Sequence, residues 1–423
     1  MPDIQLSPAA LERLEEIRLA AEAAKDKPAA LGPDIDITRF TTVSEHDRIA
    51  SLDSLQRQIK ETALMSGFDT DESNRSASYF QLDRSPIYER VEKAFDNAIE
   101  IMSTQEALAL YGDELIEKYW WRAVDPGKDK YTALAALHQT EGYFIRVKAG
   151  RKVEKPIQAC LFVSESNVSQ NVHNVIVVED GAEANVITGC NVHTDVEEGL
   201  HAGISEFYVG KNAHLTFTMI HNWAEDFSVR PRTGIVVDED GVYVNNYVLL
   251  KPVKSIQSFP VAKLVGDRSK AVFNSIVYGM KDSYIDLGSE TQLIGEDTRS
   301  EAVARTVSLD ESTVYSRGRL VGRTNSCKAH LDCRGIVQSE GSTQWAIPDL
   351  ASEGAPGAEL SHEAAISPIA AEEIYYLMTR GLPKDEAVSM ITRGFVNIDI
   401  PDLPDVLRKQ IDKAIEETSK EAM

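Results

Sequence analysis

Turn-forming residues recur at nearly constant spacing along the middle of this 423-residue chain. Between residues 142 and 341, short runs of β-branched and aromatic residues alternate with polar turns, and helix-period stretches vanish. Successive turn positions are 31, 29, 29 and 29 residues apart, at Gly181, Asn212, Gly241, Lys270 and Arg299. This regularity indicates stacked coils and favours a β-solenoid over a β-sandwich, which also has short strands but irregular connections.

Helical patterns and short mixed elements precede the repeats. Ser7-Pro8 predicts a helix start, because serine caps exposed N–H groups and proline suits the first turn. Further predictions are a helix over 45–65, a strand over 79–82, a turn at Ser85-Pro86, and helices over 94–100 and 104–121. These elements predict a mixed α/β region.

Helices are predicted again after the repeats. Ser367-Pro368 predicts the start of one helix, which Gly381 ends, and a second helix over 383–392 is ended by Gly394. Apolar spacing predicts a last helix from Leu403 to Ile415. We therefore expect a mixed α/β region over 1–150, a β-solenoid core over 151–360 and a helical region over 361–423.

The formal net charge is −23, from 44 basic and 67 acidic side chains. This charge disfavours a nucleic-acid partner, because phosphate backbones are bound by basic surfaces. The sequence contains neither a secretory signal pattern nor a run of 18 apolar residues, so we expect a cytoplasmic protein without a membrane partner. Four cysteines without a CxxC pair disfavour a disulfide framework and a structural zinc site.

Phosphate-binding loops are missing from the sequence. Gly318–Thr324 comes nearest to a Walker-type loop but lacks the spacing and the lysine, and no Rossmann glycine pattern occurs. We expect that the chain does not itself hydrolyse nucleotide.

Cys327 and Cys333 enclose a histidine and an aspartate within seven residues. In one continuous strand, their even separation would direct both thiols to one face and Asp332 to the other. Soft thiolates suit iron–sulfur, zinc or copper(I) sites. The alternative interpretation is two small buried residues stacked inside the solenoid.

Two further sites carry ligand-type side chains. Cys190 follows Gly189, which predicts a turn and an accessible thiol that accepts sulfur or binds metal, with a structural role as the alternative. His362 and Glu363 lie where the strand region is predicted to pass into a helix. They are either iron ligands or structural groups, because a helix dipole favours a glutamate near the helix start and the histidine can form a hydrogen bond. Structural or surface roles are predicted for His173, His214 and His221.

Several motifs together carry a family resemblance. They are Gly189-Cys190, Leu200-His201-Ala202, Asn222-Trp223, the segment 325–335, Ser361-His362-Glu363-Ala364, and the helical runs 376–382 and 387–391. In these motifs the chain resembles the Suf B/D family, whose members are scaffold subunits of iron–sulfur cluster assembly. The resemblance extends over about residues 67–395 and is most specific in the C-terminal block.

The resemblance implies a mainly β protein with a right-handed parallel β-helix, similar to short archaeal-like or ancestral B-type members. It also implies a dimer that meets near the C-terminal ends of two β-helices, here a homodimer, with a heterodimer left open. The C-terminal helices would dock an ABC-type ATPase of the Suf system, which agrees with the missing Walker loop. The candidate docking residues are Tyr375, Tyr376, Arg380, Met390 and Phe395.

Carried over to this chain, the resemblance nominates His362 and Glu363 as ligands of a nascent cluster at the dimer interface, with Cys190 as sulfur acceptor. We expect a transient cluster of the [4Fe–4S] type, exchanged with a sulfur donor and apo-protein acceptors, and leave a flavin requirement open.

One segment departs from the B-type pattern. B-type members carry a cysteine shortly before the His-Glu pair, and Ser342 stands near that place here. Cys333, Cys327 or Glu340 would then have to replace it as a ligand.

We therefore predict a non-enzymatic scaffold, with ATPase activity in the partner subunit. Two alternatives stay open at this point. One is an acidic β-solenoid that only organises a partner, and the other is a β-helix carbohydrate-active enzyme with paired carboxylates.

Overall fold

The structure is a computed structural model that describes residues 6–396 and residue 409. The helices are α1 Pro8–Ala24, α2 Arg57–Leu64, α3 Thr104–Lys118, α4 Lys130–Leu137, α5 Ala371–Thr379 and α6 Lys384–Val396. The first strands are β1 Thr41–Thr42, β2 Ala77–Leu82, β3 Ser85–Val91, β4 Ile99–Ser103 and β5 Tyr143–Val147. The others are β6 Ile157–Val163, β7 Val168–Gln170, β8 His173–Val178, β9 Glu183–Val192, β10 Glu198–His201, β11 Ile204–Val209, β12 His214–Asn222, β13 Asp226–Val229, β14 Arg232–Val237, β15 Val242–Leu249, β16 Ser255–Ser258, β17 Val261–Leu264, β18 Lys270–Gly279, β19 Tyr284–Leu293, β20 Arg299–Ser308, β21 Thr313–Gly322, β22 Lys328–Val337, β23 Thr343–Ser352 and β24 Glu359–Ser367.

The strands form a parallel β-solenoid of about eight turns, which confirms the predicted fold class. Sheet 1 has ten strands in the order β24-β22-β20-β18-β15-β12-β9-β6-β2-β3. Sheet 2 has fourteen strands, in the order β1-β7-β10-β13-β16-β19-β17-β14-β11-β8-β5-β4, with β21 and β23 following β19. Successive turns contribute one strand each to sheet 1 and one or two strands each to sheet 2, as with β10 and β11 between β9 and β12.

Strand register explains the repeat seen in the sequence. In sheet 1, Lys270 pairs with Arg299, and Arg299 pairs with Lys328, so equivalent positions lie 29 residues apart. Parallel in-register stacking places equivalent residues of successive turns above one another. The recurrence reflects this stacking, but only Gly181 and Asn212 lie in turns, whereas Lys270 and Arg299 are the first residues of β18 and β20.

The solenoid interior is filled by matching side chains from successive turns. One row in sheet 2 runs through paired residues that are all fully buried: Ile145, Ile176, Phe207, Ile235 and Ala262. Parallel strands covered on both faces are rich in such apolar residues, because neither face contacts water. The row belongs to the largest hydrophobic cluster of the described residues.

The two flanking helical regions cover different sheets. Helices α1 and α3 pack on the outer face of sheet 2, where Ile17 and Leu115 join Phe144 and Val175 in one apolar cluster. Val396 of α6 packs on the outer face of sheet 1. No helix of the described residues is long and apolar enough to cross a membrane.

The N-terminal region differs from the prediction in three places. Helix α2 covers only Arg57–Leu64, because the preceding segment runs beside β3, where the Ile49 N–H donates to the carbonyl of Ile87 at 2.9 Å. The hairpin turn lies at Asp83 rather than at Ser85-Pro86, which begin β3. Residues 94–100 form a short 3-10 turn and the start of β4 instead of a helix.

Other predicted boundaries have mixed outcomes. The helix start at Ser7-Pro8 is confirmed, since the Ser7 side chain accepts the N–H of Ala10. The α6 helix runs through Gly394, so the predicted stop there is wrong. The last predicted helix, over 403–415, lies outside the described residues apart from residue 409. Strands β2 and β5 pair with β6 and β8 of the solenoid, and the division at residues 150 and 360 stays a prediction.

Candidate functional site

His362 and Glu363 lie in the middle of β24, the last strand of sheet 1. This strand pairs with β22 in parallel register, which brings Leu331 beside His362 and Asp332 beside Glu363. The predicted position at a helix start is therefore wrong, because α5 begins only at Ala371. Since successive side chains of a strand point to opposite faces, the structure does not bring the imidazole and the carboxylate together.

His362 lies on the interior side of the last turn. Its neighbour Leu331 is a buried core residue. The Nε2 atom of His362 is buried and has no hydrogen-bond partner among the described residues. Leaving such an atom unpaired costs about 1–3 kcal/mol. A ligand or a second protein chain that bonded to this nitrogen would remove that cost.

Glu363 lies on the outer side of the same turn, and its side chain is 65% exposed. One oxygen lies 3.5 Å from the guanidinium of Arg334, which also pairs with Asp332 at 2.9 Å. Partial burial opposes ionisation of Asp332, but the hydrogen bond and charge of Arg305 and the charge of Arg334 lower its pKa. Glu363 is thus the accessible end of a row of alternating charges.

Cys327 directly precedes β22 and Cys333 lies within it, and both side chains are buried. The predicted common face is confirmed, because Ala329 and Leu331 between them are buried whereas Lys328 is exposed. Six residues of extended chain span about 20 Å, so the two thiols of one protomer are too far apart to bind one metal ion. Burial raises the pKa of Cys333, which keeps its thiol protonated.

The predicted accessibility of Cys190 is wrong. The residue lies within β9, its side chain is fully buried, and burial raises the pKa of its thiol well above the usual range. The preceding Gly189 is not a turn residue, because it lies within β9, where a side chain would clash with Ser66. The glycine permits close approach of the segment after α2. The thiol of Cys190 donates to the Met219 Sδ at 3.6 Å.

Histidines also line the solenoid interior. His201 and His221 contribute to the wall of a cavity of about 90 Å³ that also contacts Cys333. Burial lowers the pKa of His201 to about 3 and that of His221 well below its usual range, so both imidazoles are neutral. The Nδ1 of His221 lies 2.8 Å from the Tyr247 hydroxyl. A structural role for His221 agrees with the sequence prediction.

Within the described part of the chain, no group of three or more His, Cys, Asp or Glu side chains could hold a metal ion. The candidate ligands of one protomer lie on different faces and at different levels of the last turns. A complete coordination shell at this end therefore requires additional groups.

The end of the solenoid is open. Strands β23 and β24 each have a neighbour on one side only among the described strands. Three large apolar residues are exposed on these strands: Trp345 at 53%, Leu350 at 41% and Ile366 at 39%. Solenoids normally need a polar cap on the terminal repeat, and bare strand edges readily pair with another chain. Sequence reasoning missed these residues, although the lack of a capping pattern after the last repeat could have indicated them.

Helices α5 and α6 carry the predicted docking residues. Tyr375, Tyr376 and Met390 are exposed, and the guanidinium of Arg380 lies 5.3 Å from the Tyr376 ring centre. Phe395 instead packs partly buried against the apolar cluster on the outer face of sheet 1. Four of the five residues thus belong to the surface, whereas Phe395 anchors α6 to the solenoid.

Two family models together match most of the chain. Residues 161–395 match the model described as "SUF system FeS cluster assembly, SufBD core domain". Residues 61–159 match the "SufBD protein N-terminal region".

Curated relatives carry the same description. A protein of Methanothermobacter thermautotrophicus named "Iron-sulfur cluster assembly SufBD family protein" is 44% identical over 406 residues, covering 95% of this chain and 98% of the relative. A protein of the same name from Archaeoglobus fulgidus is 42% identical over 357 residues, covering 84% and 94%. A Pyrococcus horikoshii relative is 32% identical over 372 residues, covering 88% and 83%.

Proposed function

Because the chain belongs to the SufBD family of iron–sulfur cluster assembly proteins, we propose that it is a scaffold subunit that holds a nascent cluster between two protomers. The cluster is its cargo and is passed on to an apo-protein. The chain itself is non-catalytic in this proposal, and nucleotide hydrolysis belongs to a partner.

The open solenoid end is the observation that carries this proposal. Trp345, Leu350 and Ile366 expose apolar surface beside two unpaired strand edges. A second copy of the chain that seats its own β24 edge there would bury this surface and satisfy the free backbone groups. The interface would be symmetric, so each candidate ligand would occur twice.

A site shared by two protomers also accounts for the scattered ligands. His362 offers an unpartnered imidazole nitrogen on the interior side, and Glu363 offers an exposed carboxylate on the outer side. Two copies of each residue, joined by a thiol such as Cys333, would supply enough N, O and S ligands for a [4Fe–4S] cluster. Whether a flavin supplies electrons stays open.

The buried thiols call for a conformational step. Burial raises the pKa of Cys190 and Cys333, and a protonated buried thiol is a poor sulfur acceptor or ligand. In our proposal, an ABC-type ATPase docks on Tyr375, Tyr376, Arg380 and Met390 of each protomer. Approach of the two ATPases on binding ATP would twist the dimer and expose the thiols and the interfacial ligands.

Anaerobic reconstitution tests the proposal directly. The purified chain, alone and with its ABC-type ATPase, is incubated with iron and sulfide and examined by Mössbauer spectroscopy together with iron and sulfide analysis. We expect cluster signals that increase when the ATPase and ATP are present. Absence of a cluster in both mixtures would contradict the scaffold role. If the chain binds no cluster but still retains the ATPase in a pull-down, the result would favour the alternative of a β-solenoid that only organises a partner.

A further inference from the structure

A cleft of about 510 Å³ lies far along the chain from the solenoid end, between α1, the loop over residues 121–128, and strands β14 and β17. Its charged lining contains five cationic side chains and two carboxylates: Arg13, Arg122, Lys128, Arg232 and Lys263, with Glu16 and Asp125. Such an excess of cations is unexpected in a chain whose net charge is −23.

The loop that forms one wall is held rigidly. The buried carboxylate of Glu206 accepts the backbone N–H groups of Trp121 and Ala123 at 2.6 Å and that of Val124 at 3.0 Å. Gly234 on β14 lets the loop lie directly on the strand, because a side chain there would clash with the Ala123 carbonyl. The cleft is therefore a preformed feature with fixed walls.

Two of the five cations are neutralised by the protein. Arg13 pairs with Glu16 at 2.9 Å, and Arg232 pairs with Asp129 at 2.8 Å. The Nε atom of Arg13 is nevertheless buried without a hydrogen-bond partner among the described residues. These pairs make up part of the cleft wall and leave the other cations unbalanced.

Arg122, Lys128 and Lys263 have no carboxylate oxygen within 4.0 Å among the described residues. Asp125, the remaining carboxylate of the lining, accepts the backbone N–H of Gly127 at 2.8 Å. Burial lowers the pKa of Lys128, and the charge of Arg232 lowers it further, against the opposing charges of Asp129, Glu290 and Asp125. A bound anion would give the three cations of the lining the close partner that the described residues do not supply.

We propose that the cleft binds a small phosphate-bearing anion through Arg122, Lys128 and Lys263. Guanidinium and ammonium groups form strong charge-assisted hydrogen bonds to phosphate oxygens. The volume lies within the usual range of small-molecule pockets. A nucleic acid is disfavoured, because the strongly acidic remainder of the chain would repel an extended polyanion.

Calorimetric titration of the full chain with inorganic phosphate, pyrophosphate and ADP tests the proposal. We expect saturable binding of at least one of them, and the preferred anion distinguishes a free phosphate from the phosphates of a nucleotide. The double variant Lys128→Gln/Lys263→Gln should weaken binding by about tenfold or more, because it removes two charge-assisted contacts. The matched control is Lys93→Gln, an exposed lysine outside the cleft, which should change affinity by less than about twofold.

Lysine acetylation of the wild-type chain gives an independent readout that does not depend on a variant. The preferred anion should protect Lys128 and Lys263 from acetylation, as measured by mass spectrometry, and leave Lys93 reactive. The proposal is overturned if none of the three anions binds at millimolar concentration, if the double variant binds as tightly as wild type, or if neither lysine is protected.

Discussion

Strands β9 and β24 belong to the same sheet and have nearly the same length, 10 and 9 residues, but they differ sharply in exposure. Eight residues of β9 are buried and two are half-buried, whereas seven residues of β24 are exposed. The difference lies in the neighbours, because β9 is paired on both sides and β24 on one side only. The inner turns are covered by their neighbours, and the last turn is left with a free strand edge and an exposed face.

The largest expected effect comes from making the same substitution in both regions. Ile176→Ala, in a fully buried row, should lower the free energy of unfolding by about 2–5 kcal/mol, because it leaves a cavity. Ile366→Ala should change it by less than about 1 kcal/mol in the isolated protomer, because this side chain is already partly exposed. Urea denaturation of dilute protein measures both. Equal losses would mean that the last turn is as closed as the inner turns.

The second comparison concerns self-association. Leu350→Asp places a charge on the exposed end, and we expect it to weaken the dimer by about 2 kcal/mol or more, a factor of about 30. Leu19→Asp is the matched control on α1, where leucine has similar exposure, 54% against 41%. Analytical ultracentrifugation measures the dissociation constant. If Leu19→Asp dissociates the dimer and Leu350→Asp does not, the interface lies at the other end of the molecule.

A third comparison is made within β24. Glu363→Ala should reduce cluster affinity by about tenfold or more if its carboxylate is a ligand, since even indirect partners of ligands contribute that much. Glu359→Ala removes a carboxylate from the same face of the strand, where it pairs with Lys328 at 2.8 Å, and should leave loading unchanged. Iron and sulfide per protomer after anaerobic reconstitution measure the effect. Unchanged iron in Glu363→Ala would remove this residue from the ligand set.

The smallest effect is a difference in thiol reactivity between the closed and open regions. Iodoacetamide should label Cys333, which is 6% exposed, before the fully buried Cys190 in the native chain, and unfolding in urea should remove the difference. Because burial raises both thiol pKa values, the folded state keeps these protons to higher pH than the unfolded state. Their contribution to stability is therefore complete below the usual thiol pKa and declines as the pH rises above it.

Mass spectrometry of labelled peptides across a pH series measures that order. Rapid native labelling of Cys190 at neutral pH would contradict the closed interior of the inner turns.

The repeating part of the fold could be predicted because its cause is periodic. Parallel register places Lys270, Arg299 and Lys328 above one another as the first residues of their strands, and the same offset is visible in the sequence as a regular spacing. Helix α1 was predictable for a local reason, since the Ser7 side chain caps its own helix. Local or periodic causes leave a direct trace in the order of residues.

The errors in the candidate site have a long-range cause. The sequence predicts Gly189 as a turn residue, but its missing side chain makes room for Ser66, which is more than 100 positions away in the chain. His362 and Glu363 lie in a strand because they pair with β22, about 30 residues earlier. Neither Ser66 nor β22 can be identified as a contact from the residues next to Gly189, His362 and Glu363 in the sequence. The sequence therefore shows which residues are of a ligand type, but not which face of the strand they occupy or how deeply they are buried.

The nearly constant length of the turns also fixes distances along the solenoid axis. Neighbouring strands of a sheet lie about 4.8 Å apart, so eight stacked turns separate the first and the last by about 34 Å. The distance between the N-terminal helices and the open edge can then change only in steps of one turn, about 29 residues each. A solenoid with one turn more or fewer would keep the same terminal surface and alter only its distance from the N-terminal helices.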